Sequence, residues 1–138
     1  MVKLVTPKTK RIDAIYSDFR KDFIPNLISS DVAKKTDEDA IKESIRNIVM
    51  TDIGERLFQP EFGCDIRRLL FENFTPITKR SIESNIKNAI QQYEPRCLLS
   101  SVNAQPDSDD NTITVNIIFN VINIPDEISL SLVLERVK

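Results

Sequence analysis

Residues 112–121 read TITVNIIFNV. Apolar side chains occupy every second position of this run, and threonine or asparagine occupies all but one of the positions between them. Successive side chains of a β-strand point to opposite faces of a sheet, so this period of two predicts a strand with one buried face. The side chains predicted to be buried are Ile113, Val115, Ile117, Phe119 and Val121.

Two further strands are predicted, one on each side of this run. Residues 97–105 are typical of a weaker strand with Leu98 and Val102 on one side, and the turn-rich residues 106–111 join it to the central strand as a hairpin. A second turn covers residues 123–127, and apolar residues alternate again after it. These apolar residues are Ile128, Leu130, Leu132 and Leu134. The carboxyl-terminal part of the chain is therefore predicted to form three antiparallel strands.

A helix is predicted over residues 36–51. Thr36 and Asp39 resemble a capping box, although Asp is shorter than the usual Glu or Gln, and three successive acidic residues suit the positive end of a helix dipole. One apolar stripe follows at helical spacing. The stripe consists of Ile41, Ile45, Ile48 and Val49.

A second, longer helix is predicted from Thr75, a capping residue followed by Pro76 at the first helical position, to a stop just before Pro95. Residues 53–63 follow neither period and are predicted to form an ordered loop, and residues 65–71 a short helix. Phe58, Phe62 and Phe71 are expected in the core, with a contact to the arm of a partner chain as the alternative. The apolar stripe of the longer helix consists of Ile82, Ile86, Ala89, Ile90 and Tyr93.

This order of elements predicts an α+β domain over residues 36–138, in which two main helices pack on one face of a three-stranded antiparallel sheet. Residues 1–35 are interpreted as an extended N-terminal arm. The spacing of Ile12, Ile15, Tyr16 and Phe19 permits a short amphipathic turn or helix within it. Several apolar side chains of the arm are expected to lie on this core or on another subunit. They are Tyr16, Phe19, Phe23, Ile24, Leu27 and Ile28.

Composition excludes several classes of function. The chain has 138 residues, 41% of them hydrophobic, which suffices for one modest core, and it has no apolar run of the length that a membrane span needs. It has no histidine, so it cannot carry a catalytic triad or a histidine zinc site, and Cys64 and Cys97 are too few for a four-thiolate site. Both cysteines are expected to be buried thiols rather than bridged or redox-active. With only two glycines, no phosphate-binding glycine loop can form, and no metal or other cofactor is expected.

Charge is unevenly distributed along the chain. Residues 1–35 carry eight Lys or Arg and four Asp, a net charge of +4, and the remainder carries a net charge of −6. The positive surplus of the arm is small and interleaved with acidic residues, so a nucleic-acid partner is disfavoured. No secretory signal is recognised at the start of the chain, and folding in the cytoplasm is expected.

The edges of the predicted sheet suggest a partner. A three-stranded sheet has two edge strands with unpaired backbone groups, and soluble proteins usually protect such edges with charge, proline or bulges. The last strand carries charged residues only near its end, from Glu135 onward. This strand is therefore a candidate for pairing with a strand of another chain.

Two motifs resemble a known family. Residues 60–72, PEFGCDIRRLLFE, and residues 93–96, YEPR, closely resemble the baseplate wedge and sheath-initiator family of contractile phage tails. The family includes the TssE component of type VI secretion baseplates, and the resemblance covers roughly residues 36–138. It implies a non-enzymatic virion protein that is assembled in the host cytoplasm and sits in the baseplate around the tail tube.

The resemblance also implies partners. The family docks on the helical core bundle of wedge proteins through the Glu-Pro-Arg signature, which falls here on Glu94, Pro95 and Arg96. It starts the first sheath ring by strand exchange, which implies partner contacts at Ile128, Leu130, Leu132 and Leu134; the tail tube is a further candidate partner. The alternative interpretation of the signature is a helix stop with an internal contact between Glu94 and Arg96.

A rival hypothesis is an enzyme, because members of this family have been described as lysozyme-like. A peptidoglycan hydrolase would use two carboxylates, one of them with a raised pKa, and the candidates are Glu55, Glu61, Asp65 and Glu72. With no tryptophan and only two tyrosines, the chain has little to stack on sugar rings. A structural role is therefore favoured, and no catalytic residue is expected.

Overall fold

The computed structural model describes residues 15–20, 22, 24–25, 34–107, 112–122 and 124–135. The chain divides into two compact units, Met1–Ala40 and Ile41–Lys138. The division predicted from the sequence, with an arm over residues 1–35 and a domain over 36–138, stays a prediction.

In the first unit, strand β1 (Ser17–Phe19) pairs antiparallel with strand β2 (Lys34–Thr36). The Asp37 carboxylate accepts hydrogen bonds from the backbone N–H groups of Ile15 at 2.9 Å and Tyr16 at 3.1 Å. The prediction of a short helix in this region is wrong for Ser17–Phe19, because these residues are extended and pair with β2. Ile15, Phe19 and Ile24 are at least half exposed. Ile12, Phe23, Leu27 and Ile28 lie outside the described residues.

Three helices follow, close to the predicted positions: α1 (Asp37–Met50), α2 (Ile66–Leu70) and α3 (Pro76–Tyr93). Helix α3 begins as predicted, because the Thr75 hydroxyl accepts a hydrogen bond from the Thr78 N–H at 3.2 Å and Pro76 occupies the first turn. The predicted apolar stripes of α1 and α3 are buried except for Tyr93, which is half-buried. Ile66, Leu69 and Leu70 of α2 are also buried.

The second sheet has the order β3 (Cys97–Asp107), β4 (Thr112–Val121) and β5 (Glu127–Glu135), with both pairs antiparallel. Its buried face is the predicted one, and α3 packs against β3. The prediction of an α+β fold, with helices on one face of a three-stranded antiparallel sheet, is confirmed. Strand β3 runs two residues further than predicted and includes Pro106 opposite Ile113. Proline is compatible with a strand here because β3 is an edge strand.

A β-bulge corrects one further prediction about β3. The register shifts between Leu99 and Ser101, so that Leu98 lies opposite Asn120 but Val102 lies opposite Ile117. The extra residue of a bulge reverses the alternation of side chains along the bulged strand. Leu98 is consequently exposed and Val102 half-buried, and the two do not share a face as the sequence had suggested.

Residues 51–64 form an ordered loop whose ends are joined by a hydrogen bond from Cys64 N to Thr51 O at 2.9 Å. The Phe62 ring contacts the Tyr93 ring, with centroids 4.9 Å apart, and carries the Arg56 guanidinium 3.8 Å above it. At the tip, Phe58 is 98% exposed. The expectation of core packing is therefore wrong for Phe58 and for Phe71, which is also exposed.

The base of this loop requires glycine at residue 63. Gly63 has φ +122°, and a Cβ atom there would lie 2.3 Å from the Thr51 carbonyl oxygen. Gly54 also has positive φ, +89°, but a Cβ atom there would meet nothing within 4 Å. Replacing Gly54 would therefore introduce backbone strain alone, whereas replacing Gly63 would introduce both strain and a steric collision.

We expect Gly63→Ala to lower the free energy of unfolding by about 3 kcal/mol or more, because strain and overpacking add. Gly54→Ala should cost only about 1 kcal/mol, since it introduces strain alone. Urea unfolding of the two variants and the parent chain measures both values. Equal losses for the two variants would contradict the collision at Thr51.

Candidate partner-binding site

The Glu-Pro-Arg signature lies at the junction of α3 and β3. The Glu94 N–H donates to the Ile90 carbonyl at 2.8 Å, and the Glu94 carbonyl accepts from the Cys97 N–H at 3.2 Å. The Arg96 carbonyl accepts from Ile122 N at 3.0 Å, just beyond β4. The signature therefore connects the end of the helix to two strands of the sheet.

Glu94 and Arg96 form a bidentate ion pair. Arg96 Nε donates to Glu94 Oε1 at 2.6 Å and Arg96 Nη2 to Glu94 Oε2 at 2.7 Å. Glu94 is only 1% exposed, and the Arg96 side chain is 31% exposed. Two parallel charge-assisted bonds fix the plane of the guanidinium group as well as its position.

Several groups determine the charge state of Glu94. Burial by itself raises the pKa of this carboxyl group, but hydrogen bonds from Arg96 and Ser44, together with the positive charge of Arg96, outweigh burial and lower the pKa below 4.5. Glu94 is thus a buried anion held by α1, through Ser44, and by the start of β3. The signature residues that a partner can reach are the exposed Pro95 and the exposed part of Arg96.

One contact shows to which side of its strand each residue of the sheet directs its backbone N–H and C=O groups. The Ala104 N–H donates to Glu83 Oε1 of α3 at 2.9 Å, so Ala104 directs its backbone groups away from β4. In an antiparallel pair, the backbone N–H and C=O groups of two directly opposite residues point either both toward the other strand or both away from it. These two cases alternate along the strands. Val115, opposite Ala104, therefore points toward β5, where it lies opposite Leu132.

This alternation assigns the outer edge of β5. Ile128, Leu130, Leu132 and Leu134 direct their N–H and C=O groups toward β4, and their side chains are buried in the chain's own core. The outward-directed backbone groups belong to Ser129, Ser131 and Val133, together with the end residues of the strand. No other described strand pairs with this edge. A role of β5 in partner binding stays a prediction, and its backbone contacts would come from these intervening residues.

The opposite edge, on β3, is obstructed. At the outward position Ala104 the N–H is bonded to Glu83, and at the next outward position, Pro106, there is no N–H to donate. The bulge at Ser100 interrupts the run on the other side of Val102. Proline, a bulge and a charged residue at the edge are features that prevent strand addition, so among the described strands β5 carries the unobstructed edge of this sheet.

Comparison with known proteins identifies the family. The sequence model of the family described as "Baseplate wedge protein gp25" matches residues 35–126. The baseplate wedge protein gp25 of Enterobacteria phage T4 is 42% identical over 117 residues, which cover 85% of this chain and 88% of the phage protein. The chain belongs to the baseplate wedge family.

Two solved structures resemble this baseplate wedge family member in fold. A protein of Geobacter sulfurreducens, provisionally named a tail lysozyme, matches with a TM-score of 0.69 and 31% identity over 75% of this chain and 95% of that chain. A chain from the baseplate of the anti-feeding prophage matches with a TM-score of 0.62 and 22% identity, covering 89% of this chain and 87% of that one. The predicted resemblance is confirmed, and the chain is a structural component of a contractile phage tail, located in the baseplate of the virion.

The acidic residues considered for catalysis are dispersed over ordinary structural contacts in this wedge protein. The Glu55 carboxylate accepts from Asp52 N at 3.0 Å, and Asp65 pairs with Arg68 at 3.0 Å. Glu61 and Glu72 are exposed, and the Tyr93 hydroxyl donates to the backbone carbonyl of Glu61. Within the described parts of the chain, Glu94 is the one buried acidic residue. A glycosidase acid needs a raised pKa, and the pKa of Glu94 is lowered.

The described residues also show no cluster of three or more His, Cys, Asp or Glu side chains that could hold a metal ion. Cys64 and Cys97 are free and buried, as predicted, and burial raises the pKa of each thiol to about 12. Among the described helices, none has the length and apolar character that crossing a bilayer requires.

The lowered pKa of Glu94 predicts a pH dependence of stability. A carboxyl group with a lower pKa in the folded than in the unfolded chain stabilises the fold above the unfolded pKa, and this contribution is lost as pH falls through the folded value. We expect the wild-type unfolding free energy to decline below about pH 4.5 more steeply than that of Glu94→Gln. At pH 7 the variant should be less stable by about 2–3 kcal/mol.

Urea unfolding of wild type and Glu94→Gln at several pH values between pH 3 and pH 7 measures this difference in unfolding free energy. Glu72→Gln is the matched control, since Glu72 is exposed. Parallel stability curves for wild type and Glu94→Gln would contradict the assignment of Glu94 as a buried anion.

Proposed function

We propose that this wedge protein docks on the helical core bundle of neighbouring wedge proteins through Pro95 and Arg96. We further propose that it starts the tail sheath by pairing the outer edge of β5 with a strand of the first sheath ring. The observation that carries the second proposal is the asymmetry of the sheet, with an obstructed β3 edge and an open β5 edge. The tail tube is a further candidate partner, as the family resemblance implies.

The geometry of Arg96 supports the docking role. Its guanidinium plane is fixed by two bonds to Glu94, so little side-chain entropy is lost when the exposed part binds a partner. A planar guanidinium matches carboxylates and the carbonyl groups at helix ends, which a helical bundle presents. Pro95 restricts the backbone next to it. Glu94 acts in this arrangement as a positioning residue for Arg96.

The β5 edge supports the templating role. Ser129, Ser131 and Val133 each direct one N–H and one C=O outward, so an added strand can form up to six backbone hydrogen bonds, worth roughly 3–9 kcal/mol net before the cost of association. The buried side chains of β5 need not move, because strand addition uses only backbone groups of the edge. A preformed acceptor edge suits a protein that starts a larger assembly.

We propose a non-enzymatic role for the chain. The one observation that favours peptidoglycan hydrolysis is the name of the Geobacter sulfurreducens relative. Against it, Glu94 is the one buried acidic residue among those described, and its pKa is lowered, whereas a glycosidase acid needs a raised pKa. The baseplate wedge family and the open sheet edge both support assembly instead.

Ser131→Pro should prevent sheath assembly. Proline removes the outward N–H of Ser131 and places its ring where an added strand would lie, but it leaves the ladder to β4 intact because Ser131 does not donate toward β4. Baseplates carrying the variant should contain normal amounts of this protein and lack sheath in electron micrographs.

Ser131→Ala is the matched control, because it keeps the backbone N–H at the same exposed position. Thermal unfolding of both purified variants shows whether the fold is retained. Normal sheath on baseplates that carry Ser131→Pro would refute strand pairing at β5.

Arg96→Lys should weaken association with wedge proteins by about 1–3 kcal/mol, a loss of roughly 5- to 140-fold in affinity. Lysine keeps the charge but loses the planar fork that the pair with Glu94 fixes. Co-purification with wedge proteins over a concentration series measures the loss. Arg68→Lys is the control, since Arg68 also pairs with an acidic residue, Asp65, but away from the signature. Equal effects of the two variants would argue against docking at Arg96.

A further inference from the structure

A groove of about 690 Å³ lies beside the carboxyl-terminal end of β5. One wall consists of Val133, Leu134 and Glu135 of β5. The other wall comes from the end of α1, including Met50, and from α2 and the residue that follows it, including Leu70 and Phe71. The groove is thus bounded on one side by a sheet edge with which no described strand pairs, and on the other side by helices.

The groove is apolar and open. Met50 is 54% exposed and Phe71 is 60% exposed, although both are hydrophobic. The charged residues at its rim include Asp52 and Arg67, which pair with each other at 3.1 Å. Contiguous exposed apolar surface with a polar rim is typical of an interaction site, and the predominantly apolar lining favours an apolar occupant over a charged one.

The wall formed by β5 determines the shape of the occupant. The outward backbone groups of Ser131 and Val133 lie at or next to the groove, and an occupant that excluded water without hydrogen bonding would leave them unpaired at a cost. An extended segment satisfies both requirements, because its backbone pairs with β5 while every second side chain points toward the helices. The remaining side chains would lie on the outer sheet face, which along β5 carries Ser129, Ser131 and Val133 and is therefore mostly polar.

We propose that this groove is the side-chain subsite for strand pairing at β5. It selects a partner segment that is extended, carries bulky apolar residues at positions i and i+2, and carries polar residues between them. The proposal rests on the proposed function, since it names the chemistry of the strand that β5 accepts. Backbone pairing supplies the attachment, and the groove supplies the choice of partner strand and its register.

Two synthetic peptides of the same composition test the subsite with the full-length chain. One alternates Leu and Thr over eight residues, and the other contains the same residues as Leu-Leu and Thr-Thr pairs; both carry a lysine at each end for solubility. Fluorescence anisotropy of labelled peptide measures the affinity. We expect the alternating peptide to bind at least 10-fold more tightly, because only its apolar side chains can all face one side of a strand.

Three variants locate the binding. Met50→Asp should weaken binding of the alternating peptide about 10-fold, because an apolar side chain of the bound peptide would remove water from the new carboxylate at a cost in free energy. Ser131→Pro should abolish the binding. Ile77→Asp is the matched control, since Ile77 is an exposed apolar residue of α3 outside the groove, and it should bind like the wild type.

The outcomes separate this subsite from strand exchange itself. Loss of binding in Ser131→Pro with no effect of Met50→Asp and no preference between the peptides would overturn the subsite and leave strand pairing intact. Weakening by Met50→Asp without any effect of Ser131→Pro would also overturn it, because the groove would then bind apolar groups independently of the strand. Binding of neither peptide at millimolar concentration would overturn it as well, whereas strand exchange is judged separately by sheath assembly on Ser131→Pro baseplates.

Discussion

The buried carboxylate of Glu94 connects the two layers of the second unit. It receives two bonds from Arg96, the residue before β3, and one from Ser44 of α1, and its own backbone N–H caps the end of α3. A buried charge without partners is destabilising, so separating these groups would lower the stability of the domain. The same requirement fixes the position of Arg96 at the surface, and the fold and the proposed docking surface therefore depend on one ion pair.

The two edges of the sheet differ because the helical layer covers them differently. On the β3 side, α3 brings Glu83 close enough to cap the Ala104 N–H, and Pro106 lacks a donor. On the β5 side, the helices line an open apolar groove and no described strand pairs with the edge. Hydrogen-bonding capacity and apolar surface are thus exposed together on one side of the sheet, which is the combination that an added strand covers.

The hydrophobic periodicity of the sequence predicted the helices and strands well, because a side chain that faces the core must be apolar. The period of two in β4 and the stripes of α1 and α3 match the buried positions. The bulge at Ser100 has no glycine or comparable signal in the sequence, so Leu98 and Val102 were wrongly predicted to share a face. The exposure of Phe58 contradicts the usual preference of aromatic residues, and the contacts of Glu94 with Ser44 and of Glu83 with Ala104 join distant residues that local patterns cannot relate.

An obstructed β3 edge has a consequence for self-association. A sheet with two open edges can add copies of itself without limit, since each new copy exposes another edge. With β3 capped by Glu83 and interrupted by Pro106, strand pairing between the described three-stranded sheets of two copies is left to β5 with β5. In such a contact both copies use the same edge, so neither copy has this edge left for a third, and the assembly stops at a dimer. If β5 accepts a strand from a different protein, as proposed, this sheet would not extend into fibres of the chain itself.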